Sequence, residues 1–241
     1  MTIYWAWAGA ALVMLFAAAY LGANVRGSVL GVLIDTRGRF SLSHFQMVLW
    51  TLLALSLIAG VAAGRLLAGI PDALSFSIPT TLLAVMGISI ASTASAIVVK
   101  SAKDVQAPER IAASDASDRP RFSQIFQVEE GEFADKVIDI TKFQNFWFTL
   151  ILVAAYAVFA AKRIGELGTA MTALPDFNET LVLLLGISHA GYLAGKMPAR
   201  PGNPEGLTVA GKLAGAKPVV TLRASEVPPA EYVPRNPESS G

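Results

Sequence analysis

Residues 45–64 read FQMVLWTLLALSLIAGVAAG and contain no Asp, Glu, Lys or Arg. The hydrocarbon core of a bilayer is about 30 Å thick, and a helix rising 1.5 Å per residue needs roughly 20 apolar residues to cross it. We expect a helix here, because lipid offers no hydrogen-bond partner to an exposed backbone. On either side lie four more uncharged apolar stretches, at 3–23, 78–99, 143–161 and 180–195.

The charged residues are few and unevenly placed. The chain of 241 residues is 54% hydrophobic and 15% charged, with a mean hydropathy of +0.52, whereas a soluble domain carries about 25% charged residues. All 37 charged residues lie outside the five apolar stretches. This distribution excludes a soluble enzyme, a nucleic-acid-binding protein and a disordered chain. The sequence predicts an all-α polytopic membrane protein with five transmembrane helices, one N-terminal span followed by two helical hairpins.

The Lys and Arg residues predict the orientation of these spans. Sixteen of the 19 fall in residues 24–42, 100–142 and 196–241, and the other three fall in the alternate loops. The positive-inside rule places those three segments in the cytoplasm and the N-terminus outside. No basic residue precedes the first span, so we expect a retained anchor and not a cleaved signal peptide.

Spans two and three resemble spans four and five. Residues 45–65 share 8 identities in 21 positions with residues 143–163, and residues 81–91 share 6 in 11 with residues 180–190. The shared Phe-Gln, Gly-Ile-Ser and Arg are not explained by apolar composition. Both hairpins would enter from the cytoplasm and return to it, which predicts a parallel repeat with its axis along the membrane normal.

Five segments follow from this repeat. They are an N-terminal transmembrane anchor (1–24), a first hairpin repeat (25–103), a cytoplasmic loop (104–138), a second hairpin repeat (139–197) and a Pro-rich cytoplasmic tail (198–241). The tail holds eight of the 13 prolines. We predict that it cannot bury enough apolar surface to fold alone and that a partner or neighbouring protomer holds it.

The repeats carry a resemblance to a known family. The string DTRGRFSLSHFQ at 35–46, Trp50-Thr51, Gly87-Ile88-Ser89 and the string LLLGISHAGYLAGK at 183–196 resemble a family of uncharacterised bacterial multi-pass membrane proteins. That family has tandem SLSxFQ…WT…GIS helical-hairpin repeats, and the resemblance covers residues 34–198. It implies the fold and a location in the bacterial inner (plasma) membrane, and it implies no activity.

Few residues could carry catalysis or bind a metal. Without Cys the chain has no disulfide and no thiolate ligand. His44 and His189 lie in different spans, and a zinc site usually takes three or four ligands. The spans also lack the charged residues that coupled transporters keep there. We therefore expect no enzyme activity, no catalytic or metal site and no cofactor, and the sequence identifies no small-molecule substrate.

Two segments fit the capping-box pattern Ser/Thr-x-x-Gln before an apolar run. They are Ser43 with Gln46 and Thr141 with Gln144. In such a box each side chain bonds the other residue's backbone amide, and a helix starting at the headgroups needs this because its first amides lack partners. We predict caps at both segments. The alternative places Gln46 and Gln144 at the mouth of a pore.

Five residues mark the middle of the third and fifth spans: Gly87, Ser89, Gly186, Ser188 and His189. Small residues at four-residue spacing favour close helix packing, and the alternative is a pore lined by hydroxyl groups. His189 either forms a hydrogen bond between helices or acts as a proton-sensitive group, since ionisable groups inside membranes are often functional.

Two other features of the spans predict helix contacts. Gly60 and Gly64 form a GxxxG pair in the second span, which lets two helix backbones approach closely. Ser56 and Asn145 are the polar side chains expected to bond across helices.

The predicted cytoplasmic loop contains a short amphipathic pattern. Phe122, Ile125 and Phe126 recur at three- and four-residue spacing, which predicts a helix with one apolar face. The acidic residues after it would be repelled by anionic lipid, so we favour contact with a protein partner. The alternatives are the membrane interface and simple packing beneath the bundle.

Two classes of function fit these features. The leading hypothesis is a scaffold or anchor subunit that docks a protein partner or a neighbouring protomer through its loop and tail. The alternative is a passive or gated channel made of several copies, with hydroxyls, Gln46, Gln144 and His189 facing its axis. The expected partners are membrane lipids, further copies of the chain and another protein complex.

Overall fold

A computed structural model of the chain describes residues 2–106, 120–130 and 134–197. These residues form five α-helices: α1 (Thr2–Arg26), α2 (Leu42–Leu67), α3 (Thr80–Gln106), α4 (Ile140–Leu167) and α5 (Glu179–Lys196). Short 3₁₀ helices lie at Gly31–Leu33, Phe122–Phe126 and Gly168–Ala170. Within the described ranges, extended segments pair only as isolated β-bridges. The all-helical prediction is therefore confirmed for this part of the chain, while the predicted tail lies outside it.

Four of the helices are long and apolar enough to cross a membrane. They are α1, α2, the Thr80–Lys103 part of α3, and α4 continued to Ala170. The fifth helix, α5, has 18 residues and is about 27 Å long at 1.5 Å per residue. The chain therefore has the helices of a multi-span membrane protein, and a fifth crossing stays a prediction.

The apolar core lies where α2, α3, α4 and α5 meet. Its fully buried side chains include Trp50, Leu57, Val61, Leu82, Val85, Tyr156 and Leu185. The outer faces carry exposed apolar side chains such as Phe16, Val98 and Val158. Large apolar side chains pointing outward from every long helix suit lipid contact, because lipid tails are as apolar as the side chains themselves.

Helix α1 packs on α2 through the two glycines of the GxxxG pair. A Cβ atom at Gly60 would lie 2.5 Å from the Cα of Trp7, and one at Gly64 would lie 2.6 Å from Cγ1 of Ile3. The indole Nε1 of Trp7 also donates a hydrogen bond to Oγ of Ser56 at 3.1 Å. The predicted close approach at Gly60 and Gly64 and the hydrogen bond at Ser56 are both confirmed.

The segments predicted to share one side of the membrane meet at one end of the bundle. Residues 27–41, the ends of α3 and α5, and residues 120–130 and 134–139 are joined there by ion pairs. We call this the basic end. The loops between α2 and α3 and between α4 and α5 meet at the opposite end, where Oγ1 of Thr81 bonds the carboxylate of Asp176. The structure thus has the alternation of ends that the basic residues predict.

The first prediction concerns the contact between α1 and α2. Gly60→Ala should lower the midpoint of thermal unfolding in detergent by several degrees, because the new methyl group would meet the backbone of Trp7 and overpacking costs about 1–3 kcal/mol.

Gly9→Ala is the matched control, since a Cβ there meets nothing within 4 Å. Both substitutions gain the same helix propensity, so only the contact distinguishes them. Equal midpoints for the two variants would contradict the close packing of α1 on α2.

Candidate functional site: an ion-paired end and a buried polar layer

Glu129 lies at the centre of an ion-pair network at the basic end. Its carboxylate oxygens lie 2.9 Å from Nζ of Lys100, 2.6 Å from Nζ of Lys142 and 3.1 Å from Nζ of Lys196. The three lysines come from near the end of α3, the start of α4 and the end of α5. One carboxylate, only 11% exposed, therefore joins the ends of three helices.

The network continues into the segment between α1 and α2 through Asp35. Nζ of Lys100 also lies 2.5 Å from Oδ2 of Asp35. Oδ1 of the same carboxylate accepts hydrogen bonds from the backbone amides of Arg37, at 2.9 Å, and Arg39, at 3.1 Å. Asp35 thus bonds the backbone amides of its own loop and the side chain of Lys100 near the end of α3. It therefore fixes residues 35–39 against α3.

Three further ion pairs fasten the segment after α3. Glu130 lies 3.0 Å from Nη1 of Arg37 and 2.7 Å from Nζ of Lys103. Arg39 is buried and bonds both carboxylate oxygens of Asp135, at 2.5 and 2.6 Å. Asp135 has a φ of 62°. This left-handed backbone conformation is unfavourable for residues other than Gly. The bidentate pair helps to hold Asp135 in that conformation.

The surrounding charges set the ionisation of the two glutamates. Burial by itself would raise the pKa of Glu129, but Lys196, Lys142 and Lys100 outweigh it and hold that pKa well below its usual range. Burial acts in the same way on Glu130, and its hydrogen bonds to Lys103 and Arg37 lower the pKa of that carboxyl. Both groups are therefore anions at neutral pH, and their lysine neighbours act as counter-ions.

A cavity of about 110 Å³ adjoins this network. Its lining residues are Val99, Lys100, Lys103, Val128, Glu129, Glu130, Asp139, Lys142, Gly195 and Lys196. The lysine ammonium groups bordering it are each bonded to a carboxylate, so they hold the ends of the helices together. Among the described residues, no group of three His, Asp or Glu side chains could hold a metal ion.

A layer of buried polar side chains begins just inside the basic end. Nε2 of Gln46 donates to Oδ1 of Asn145 at 3.0 Å and to Oγ1 of Thr149 at 2.8 Å. Oγ of Ser188 donates to the same Oδ1 of Asn145 at 3.1 Å. Asn145 thus joins α2, α4 and α5, which confirms the hydrogen bond between helices predicted for it.

Ser43 forms the edge of this polar layer closest to the basic end. Its hydroxyl and that of Tyr192 lie 3.1 Å apart, and its carbonyl accepts a hydrogen bond from Oγ1 of Thr93 at 3.1 Å. Ser89 and His189 are buried nearby, one helical turn from Thr93 and Tyr192, and their side-chain polar atoms have no partner within the described protein. The structure thus brings together Ser43, Gln46, Ser89, Ser188 and His189.

The capping prediction is wrong at both segments, because each helix begins earlier than the pattern suggests. The N-cap of α2 is Ser41, so Ser43 and Gln46 lie inside the helix and bond other helices. The N-cap of α4 is Asp139, whose carboxylate accepts from the amides of Thr141 and Lys142. The carboxylate of Asp139 therefore caps α4 in place of Thr141. Gln144 is exposed on α4.

The glycines of the Gly-Ile-Ser motifs do not make close contacts within the chain. A Cβ at Gly87 would meet nothing within 4 Å, and one at Gly186 would meet only Cδ1 of Ile88, at an ordinary 3.7 Å. Close packing at these two positions is therefore not found inside the described protein. The physical reason is that α3 and α5 meet through larger side chains on their buried faces, including Val85 and Leu185.

The Phe122–Phe126 segment folds as a 3₁₀ helix against the basic end. Ile125 is fully buried in an apolar cluster with Phe40 and Phe146, so it is unavailable to a partner. Phe126 is half-buried and packs on Phe146, whereas Phe122 stays 44% exposed. The structure favours packing beneath the bundle for Ile125 and Phe126, and it leaves Phe122 as a surface residue.

Sequence reasoning missed the role of the ion-pair network. In the sequence, Lys100, Lys142 and Lys196 indicate only the orientation of the spans, and Glu129 is one member of the acidic run that follows Phe126. Three lysines at predicted span ends and one acidic run in the same compartment were the available signal. What the sequence does not show is which carboxylate would reach all three.

Comparisons with known proteins add no relative. The chain matches no protein-family model, no curated protein and no solved structure. The resemblance carried by residues 34–198 stays a prediction. The molecule is characterised by its helices, by the ion pairs at its basic end and by its buried polar layer.

The second prediction tests Glu129 as the centre of the network. Glu129→Gln should destabilise the purified protein at pH 7, because removing one partner of a buried ion pair leaves the others without compensation and costs about 3–5 kcal/mol. The midpoint of thermal unfolding in detergent measures the effect.

Glu166→Gln is the control, since Glu166 is also ion-paired, to Arg163 at 3.1 Å, but lies exposed. Exposed pairs contribute only about 0–1 kcal/mol. A Glu129→Gln midpoint as high as that of Glu166→Gln would rule out a central role for Glu129.

The third prediction is a dependence of stability on pH. Because the pKa of Glu129 is lower in the folded protein than in the unfolded chain, its contribution is complete above the unfolded value of about 4.3. This contribution to stability is lost as the pH falls from the pKa of the unfolded chain to below the pKa of Glu129 in the folded protein. The unfolding midpoint of the wild-type protein should therefore stay level from pH 7 to 5 as far as this group is concerned, and decline below that range. Glu129→Gln should show a smaller decline, and an identical decline would contradict this assignment.

Proposed function

We propose that the chain is an integral membrane scaffold subunit that crosses the bilayer five times and docks a protein or a second copy at its basic end. In this proposal it lies in a bacterial inner membrane with the N-terminus outside and the basic end in the cytoplasm. Its two helical hairpins are tandem repeats of one unit, and it has no enzyme activity. The basic residues and the repeated motifs support these assignments.

One observation carries the docking function: the basic end is a fixed surface that exposes apolar side chains. The ion pairs of Asp35, Glu129 and Glu130 hold its loops against α3, α4 and α5. On this framework Phe122 is 44% exposed and Ile138 is 59% exposed. Apolar side chains displayed on a rigid polar framework are typical of protein-binding surfaces, whose apolar centres are bordered by polar residues.

The buried charged side chains are confined to the regions of the two ends of the bundle. The buried charged side chains of the described chain are Asp35, Arg39, Arg65, Lys100 and Lys142. Each of them lies at or near an end of a helix. A bundle whose buried charges are confined to the regions of its ends suits a structural role, because its middle offers no charged site for a transported ion.

The fourth prediction tests the docking surface in cells. A photocrosslinking amino acid at Ile138 should yield one stoichiometric adduct, either with a single protein identified by mass spectrometry or with a second copy of the chain. The same amino acid at Phe16, an exposed lipid-facing position on α1, is the matched control and should yield none.

Reporter fusions fix the compartment in the same cells. A reporter fused after Gly241 and one inserted within residues 66–77 should report opposite sides of the membrane. Absence of a defined adduct from Ile138, with the purified protein running as a monomer, would overturn the scaffold function. Reporters on the same side would overturn the five crossings.

A second candidate function is a channel formed by several copies. The observation that favours it is the group of buried hydroxyl and imidazole groups without protein partners, at Ser89 and His189. Such a channel would conduct in planar bilayers, and replacing Ser188 or Ser89 with a bulky residue would abolish its conductance. Absence of conductance from purified protein leaves the scaffold function in place.

A further inference from the structure

Two adjacent turns of the bundle contain several buried polar atoms that have no hydrogen-bond partner in the described protein. They are Oε1 of Gln46, Oγ of Ser89, Oγ of Ser92, Nδ2 of Asn145, and both ring nitrogens of His189. All five side chains are at most 2% exposed. Buried polar groups are almost always hydrogen-bonded, because leaving them unpaired costs the free energy of their lost hydration. A group of five therefore indicates that something else bonds them.

Hydrogen bonds between the helices place these side chains together. Ser43 bonds Tyr192 through its hydroxyl and accepts from Thr93 through its carbonyl, so α2, α3 and α5 meet at that level. One turn deeper into the bundle lie Gln46 on α2, Ser89 on α3 and His189 on α5, since α2 runs away from the basic end and the other two run towards it.

Asn145 completes the same level from α4. Its Oδ1 accepts from Gln46 at 3.0 Å and from Ser188 at 3.1 Å, and Ser188 directly precedes His189 in α5. Ser92 lies on the buried face of α3 one turn closer to the basic end than Ser89, directly before Thr93. All four helices of the two hairpins thus contribute a polar group to this level.

The chemistry of the unpartnered atoms defines the ligand. A neutral imidazole has one N–H donor and one acceptor nitrogen, the amide nitrogen of Asn145 donates, the amide oxygen of Gln46 accepts, and the serine hydroxyls do both. None of these groups carries a fixed charge, so an ion would find no counter-charge among them. A ligand that bonds all of them must be small, uncharged, and both donor and acceptor. Water meets these requirements, and buried waters in proteins typically make about three such bonds.

We infer that Gln46, Ser89, Ser92, Asn145 and His189 enclose an internal water site between the two helical hairpins. The site ends towards the middle of the bundle at Val85 and Leu185, which belong to the apolar core. It ends towards the basic end at the Ser43, Thr93 and Tyr192 hydrogen bonds. The inference goes beyond docking at the basic end and holds whether or not a partner binds there.

The absence of Cys from the chain allows a direct test by introduced thiols. Ser89→Cys and Ser92→Cys are made one at a time in the full chain, reconstituted in lipid nanodiscs and transferred into D₂O, and the exchange of the thiol S–H for S–D is followed by infrared spectroscopy. The thiol hydrogen exchanges only where water reaches the sulfur, and water is small enough to occupy a site that side chains enclose. We expect both thiols to exchange at least tenfold faster than the thiol of Val85→Cys.

Two controls separate internal water from other routes of access. Val85 lies on the same buried face of α3, about one turn from Ser89, inside the apolar core, whereas Ile90 is exposed on the outer face. Ile90→Cys therefore reports entry of water from the lipid side and should exchange as slowly as Val85→Cys. Rates at Ser89→Cys and Ser92→Cys within twofold of Val85→Cys would overturn the inference, as would rates no faster than Ile90→Cys.

A measurement on the histidine covers the case in which a cysteine variant does not fold. With His44→Gln, His189 is the one imidazole in the chain, and ¹⁵N labelling of histidine makes it visible by solid-state NMR. We expect cross-peaks between its ring nitrogens and water protons in the reconstituted protein. Cross-peaks only to protein protons would show that the side chains re-pair with each other and would overturn the inference.

Discussion

The carboxylate of Glu129, bonded to Lys100, Lys142 and Lys196, is the interaction on which the arrangement of the helix ends depends. Burying four charged groups is expensive, since each loses hydration, and the cost is offset only when the geometry lets opposite charges meet and bond. Here one anion meets three cations from α3, α4 and α5. The segment between α3 and α4, which carries Glu129, must therefore lie beneath the bundle. Asp35 shares Lys100 with Glu129 and brings the loop between α1 and α2 into the same network.

At the opposite end of the bundle, backbone carbonyl groups bond a buried charged side chain. Arg65 is buried at the end of α2 and donates to the carbonyls of Asp72, Ala73, Thr169 and Met171. These carbonyls belong to the loops that close both hairpins, so a single guanidinium holds the two loops together. Its counterpart in the predicted repeat, Arg163, is instead half-exposed beside Glu166. Identical residues at matching positions of the two hairpins thus have different surroundings.

Much of the fold could be predicted from the sequence, because it follows from composition and spacing. Uncharged stretches of about 20 residues predict helices on physical grounds alone, and the Gly60 and Gly64 pair marked the helix face that receives α1. The ends of helices were less predictable. Ser43 and Gln46 fit a cap by spacing, yet the chain caps α2 two residues earlier and uses both side chains between helices. A spacing rule describes neighbours along one helix and cannot include competition from Tyr192 and Asn145 on other helices.

The distribution of polar groups separates the two parts of the molecule that function could use. At the basic end each buried charge has an opposite charge within hydrogen-bond distance, so that region is electrostatically complete and rigid. One turn inside it, Gln46 and Asn145 are only partly satisfied by each other, and the polar groups around them are neutral. The rigid, charged basic end favours docking of a protein at its surface. The neutral layer inside it, whose polar groups are incompletely paired, favours binding of water within the bundle. Any route for water between the two must pass the hydroxyls of Ser43, Thr93 and Tyr192, which close the layer on the side of the ion pairs.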